Sequence, residues 1–132
     1  MRMLAVLLAA AAILPASSAA SPQRGFAFGR VGGNIVPFAV TVGNDGRVSA
    51  TGPVTTGRTR LTQLQVANLN RVATTNGFGS MPAVTSCPGT LPDVAATFVR
   101  VGPRTVRVHG SCVARYQRVW NALGHAVKIT YG

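Results

Sequence analysis

The sequence predicts an α+β fold, an antiparallel sheet of about five strands in the order β-β-β-α-loop-β-β-α with two helices packed on one face. Two kinds of periodicity and their arrangement lead there. Large apolar residues alternate with a period of two through Phe38-Ala39-Val40-Thr41-Val42, and β-branched residues favour strand in Val94 to Val101 and Thr105 to Val108. Apolar residues recur at helical spacing through Thr59 to Asn76 and from Val113 onward. Strands and helices fall in separate runs, which favours a sheet covered on one side over alternating parallel units.

Taken in order, Phe26-Ala27-Phe28-Gly29-Arg30-Val31 reads as the first strand, set apart by Gly32-Gly33-Asn34 from a hairpin. The hairpin runs from Phe38 to Val42, turns at Gly43-Asn44-Asp45-Gly46, and returns through Val48 and Ala50 until Gly52-Pro53 ends it. The first helix places Leu61, Leu64, Leu69 and Val72 on its apolar arc, interrupted by Gln65 and Asn68, so shallow packing is expected. Thr62 with Gln65 offers a capping box, Thr59 a cap one turn earlier, and Gly77 a left-handed end. From Phe78 to Pro92 the density of Gly and Pro predicts a long loop. Val94 to Val101 and Thr105 to Val108 form a second hairpin around Gly102-Pro103-Arg104. The second helix carries Val113, Tyr116, Val119, Trp120, Leu123 and Val127 inward and Arg115, Arg118, Asn121 and His125 outward, with Ser111 as its expected N-cap. Ile129-Thr130-Tyr131 can add a short last strand.

The N-terminus has the pattern of a cleavable export signal. Met1-Arg2 is a basic start, the run from Leu4 to Leu14 has no polar side chain, and Ser18-Ala19-Ala20 supplies small residues for cleavage before Ser21. The run is far shorter than the ~20 apolar residues of a membrane span, so the mature form is expected to carry no transmembrane anchor. Residues 1–20 are thus assigned to the signal and 21–132 to one secreted or extracytoplasmic domain.

Charge narrows the partners. Losing Arg2 with the signal leaves 12 basic residues against Asp45 and Asp93, a net charge of +10 on 112 residues. Such a field draws anionic partners such as envelope or cell-wall polymer, lipid headgroups or acidic protein surfaces. The arginines are scattered, however, and scattered charge also serves solubility alone. Phe98, Tyr116 and Trp120 are expected in the core, which leaves no stacking platform for nucleic acid, and export also argues against that partner.

The same scarcity of ionisable groups speaks against an enzyme. Asp45 in a turn and Asp93 at a strand start are not placed as a carboxylate pair, and a triad from Ser86 or Ser111 with His109 and Asp93 lacks a nucleophile-elbow pattern. Gly32-Gly33-Asn34 lacks phosphate-loop spacing. Catalytic residues and cofactors are accordingly not expected. Cys87 and Cys112, the only cysteines, read as a disulfide in an exported chain. Zinc held by Cys87, His109, Cys112 and His125 is the competing reading, and the spacing fits no familiar finger.

Cys87-Pro88-Gly89-Thr90 in a Gly/Pro-rich stretch, followed by Asp93, a Val-rich hairpin and Cys112, resembles the small secreted subtilisin-inhibitor family. That likeness implies a reactive loop running through Cys87-Pro88 and tied by the disulfide to the chain after the second hairpin. It also implies that the primary specificity residue falls on Gly89, and that the second disulfide of that family is missing here. The order of elements, with a Gly-Gly after the first strand, is also similar to the emfourin family of metalloprotease inhibitors. Independently of both, a Pro-rich loop fixed at one end loses less entropy on docking. Ser86, Pro88, Gly89, Thr90, Leu91, Pro92 and Asp93 are therefore the expected partner-binding loop, and a secreted protease the expected partner.

Overall fold

The computed structural model describes residues 25–132. The export signal and its cleavage point before Ser21 lie outside the described residues. The fold is α+β, two helices packed against a sheet, as the periodicities require.

Eight strands form. β1 (Phe26–Val31), β2 (Phe38–Val42) and β3 (Val48–Thr51) make an antiparallel meander, and β4 (Val54–Thr56) leads on to α1 (Gln63–Thr75). A single 3₁₀ turn (Phe78–Ser80) and β5 (Val84–Ser86) precede the hairpin of β6 (Ala96–Val101) and β7 (Arg104–His109). α2 (Ala114–Val127) and β8 (Ile129–Tyr131) close the chain. The main sheet has the order β3-β2-β1-β6-β7-β5, so β1 and β6 lie at its centre, while β4 and β8 pair apart from it.

Alternation decides which residues go inside. Phe26, Phe28, Val40, Val42, Val99, Val101, Val106 and Val108 share one face and are all buried. Onto them α2 lays Tyr116, Val119, Trp120, Leu123 and Val127, and α1 lays Val66, Leu69 and Ala73. The Trp120 ring meets Phe28 edge-on, with centroids 5.3 Å apart. Arg115, Arg118, Asn121 and His125 face outward as expected.

Four expectations need correction. The stretch Phe78 to Pro92 is not all loop. Between Pro82 and Pro88, Val84-Thr85-Ser86 joins the sheet edge parallel to β7, held at its ends by Arg107 N–H donating to Ala83 O and Cys87 N–H to His109 O, both 2.8 Å. The sheet is therefore six-stranded and mixed. Second, α1 is rotated from the expected arc. Its stripe is Val66, Leu69 and Ala73, while Leu64 is 80% exposed and Leu61 is buried ahead of the helix. The rotation sets Val66 and Ala73 beside Leu69 against the core, and the expected capping box forms, Gln65 N–H donating to Thr62 Oγ1 at 3.2 Å and Thr62 N–H to Gln65 Oε1 at 2.8 Å. That fixes Gln63 as the first helical residue. At the other end Gly77 is left-handed, φ 67°, as expected.

Third, Ser111 does not cap α2. Val113 holds the N-cap position with no side-chain bond, because Cys112 is already bound to Cys87 and the chain leaves the disulfide directly into the helix. Fourth, Phe98 is not in the core. Its register places it on the sheet face turned away from the helices, where its ring lies over Gly29 and opposite Arg107. No helix among the described residues is long and apolar enough to cross a membrane.

Candidate functional site

Cys87 and Cys112 form a disulfide with Cα atoms 5.7 Å apart, so their sulfurs hold each other and not a metal. Cys87 is buried at the end of β5, and Cys112 N–H donates to its Sγ at 3.0 Å. The bridge thus locks the start of the 86–95 segment to the chain between β7 and α2.

Beyond Cys87 the segment folds as two successive turns. Thr90 N–H donates to Cys87 O at 3.2 Å, closing Cys87-Pro88-Gly89-Thr90, and Val94 N–H donates to Leu91 O at 3.1 Å, closing Leu91-Pro92-Asp93-Val94. Each has proline second, where its fixed φ suits a turn, and Gly89 third with φ +76°, the arrangement of a type II turn. Thr90 Oγ1 donates to His109 O at 3.4 Å, and the His109 ring Nε2 meets Val94 O. The ring thus braces the loop at Val94, and Ser86 lies across from His109 in the β5–β7 register. Asp93 sits in this loop and Asp45 in the β2–β3 turn at the other end of the sheet, so the two carboxylates share no site. The Asp45 carboxyl is held below its usual range, chiefly by the backbone N–H of Arg47, 3.0 Å away, with Arg60 and Arg47 adding charge. This is turn chemistry.

Close backbone approach supports the loop from both sides. A Cβ on Gly110, φ +103°, would fall 2.6 Å from Cys87 Cβ and 2.5 Å from Thr90 Oγ1, so only glycine lets the end of β7 pass beneath the disulfide. A Cβ on Gly33 would fall 2.6 Å from Asp93 O and 2.7 Å from Ala95 N. That contact brings the β1–β2 connection, Gly32 to Pro37, against the second turn.

The consequence is a surface that inspection of the sequence missed. Seven large apolar side chains stand exposed among the described residues, and four of them, Ile35, Val36, Leu91 and Val94, belong to these two adjoining segments. Val36 is 68% exposed and Leu91 63%. The run Asn34-Ile35-Val36-Pro37, β-branched residues stranded between turn residues, was the available signal. Within the loop, Pro88, Gly89, Leu91, Pro92 and Asp93 are exposed, Thr90 is half-buried as a brace, and Ser86 is the last residue of β5.

No group of three or more metal-ligating side chains occurs among the described residues. Compared with protein-family models, with curated proteins and with solved structures, the chain matches none, so the site is interpreted from its own geometry.

Proposed function

We propose that this chain is an exported, non-enzymatic binding domain that docks the two-turn loop Ser86 to Asp93, together with Ile35 and Val36, against a secreted protease. The observation that carries this reading is the gathering of exposed Ile35, Val36, Leu91 and Val94 on two touching segments, one of them pinned by a disulfide, two turn bonds and the His109 ring. Scattered surface hydrophobes need no explanation, whereas a set gathered on a preorganised loop and its neighbour favours association at reduced entropic cost. The turn at Gly89 makes a knob, not the extended strand a protease cleaves, so inhibition here works by blocking the cleft mouth and leaves the loop intact.

A second reading, binding of an anionic envelope or cell-wall polymer, draws on the helix-free face of the sheet, where Arg100 and Arg107 flank Phe98. Inhibition assays against secreted serine and metalloproteases separate the two. Leu91→Asp and Val36→Asp should each weaken inhibition at least tenfold. Raised salt should change it little, because apolar contacts are not screened, whereas a charge-driven binder should release as the screening length falls below about 8 Å. If no protease is inhibited, or if Arg100→Glu with Arg107→Glu removes binding while the loop variants keep it, the polymer reading replaces this one.

A further inference from the structure

Away from the loop, the outer surface of the helix layer is creased. α1 and α2 lie antiparallel, Arg118 near the start of α2 donating to Asn76 Oδ1 at the end of α1, 3.3 Å apart. Between them runs an open groove of about 700 Å3. Its apolar part is made by Leu64, Ala67, Leu69, Ala122 and Ala126. The short alanines make the depth, and Leu64, on the side of α1 away from its buried stripe, stands 80% exposed at the rim.

The permanent charge on the groove has one sign. Arg58 and Arg71 border it, beside the uncharged Gln65 and Asn68, and none of its lining residues is acidic. Arg58 is held in place by donating from Nη1 to Ala126 O at 2.8 Å, which answers a carbonyl near the end of α2 and leaves the rest of the guanidinium fork unspent. Arg71 donates from Nη2 to Asn68 Oδ1 at 2.6 Å. An apolar trough with a few convergent polar groups and this volume is what small-ligand sites offer, and guanidinium forks match the two oxygens of a carboxylate.

We propose that the α1–α2 groove binds a single-chain amphiphile with a carboxylate head, its alkyl chain on Leu64, Ala67 and Ala122 and its head on the guanidinium groups. Charge complementarity selects the occupant. A cationic or uncharged chain would find the same trough and no partner for its head.

Titration of the folded protein with dodecanoate, below its micelle concentration and followed by the methyl shifts of Ala67, Ala122 and Ala126, tests this directly. Saturable binding is expected, at least tenfold tighter than dodecanol or dodecylamine. Leu64→Asp and Arg71→Gln should each weaken it tenfold or more. Both residues are exposed, so unchanged melting curves should accompany the loss. Arg100→Gln, on the opposite side of the sheet, should leave it unchanged. Equal binding of dodecylamine, equal binding of acetate, or full retention by Leu64→Asp would each overturn the proposal, the second by showing a bare anion site with no use for the chain.

Discussion

The centre of the sheet and the loop end beyond Val31 are held together by different physics. At the centre, Phe28, Val40, Val99 and Leu123 are fully buried, and order comes from alternation meeting a helical stripe. At the loop end Cys87 is the one buried side chain from Ser86 to Asp93, and order comes from a covalent bridge, backbone turns and two glycine contacts. Burial excludes partners. Covalent and backbone restraint leaves side chains outward, which is why the exposed apolar residues gather where the core gives out.

This contrast is most sharply broken at Trp120, which packs on Phe28 and Phe38 under α2. Trp120→Ala should cost about 3 to 5 kcal/mol, and denaturant unfolding should show it as a lowered midpoint with an unchanged slope. A variant with the original midpoint would mean that α2 does not seal the centre.

Replacing Cys87 and Cys112 together by Ala should cost about 3.5 kcal/mol, the loop-closure value for this separation. The same change should raise amide exchange from Ser86 to Ala95 well above that in β1 and β6. If exchange rises equally in both regions, the disulfide is part of the core and the two are not separable.

How much was legible beforehand follows the same divide. The antiparallel meander, the β6–β7 hairpin and the inner face of α2 could be read because alternation and helical stripes are local patterns with many repeats. The phase of α1 differs because size is a poor guide to a short helix's inner face. Leu61 and Leu69 are core as their size suggests, yet Leu64 faces out while the smaller Val66 and Ala73 turn inward. β5 escaped because three residues between prolines carry no periodicity, and its pairing depends on the distant His109 and Arg107 backbone. β4 escaped for the same reason. The disulfide and the loop were legible in composition. The convergence of Ile35 and Val36 on that loop was not, because it rests on a Gly33 contact with Asp93 and Ala95 some sixty residues on.

The mildest test probes a polar group that the centre accepts. Tyr116 is 2% exposed, and its hydroxyl shares a hydrogen bond of 2.8 Å with Thr97 Oγ1 at the end of β6. Burial pushes its phenol up to about 12, with the Thr97 bond opposing the shift. In the unfolded chain the phenol ionises near 10, so the folded state keeps a proton that the unfolded state releases. The stability this supplies is whole below about pH 10 and is lost as pH rises toward about 12. Tyr116→Phe should cost about 1 kcal/mol at neutral pH, the typical net value of one hydrogen bond. Because the variant has no group to ionise there, its stability should fall less steeply than that of the parent protein across the same alkaline range. Parallel melting curves at pH 9 and pH 11 measure the difference. If both proteins lose stability equally, the phenol reaches water despite its burial, and the boundary between the sealed centre and the open end must be drawn closer to α2 than Thr97.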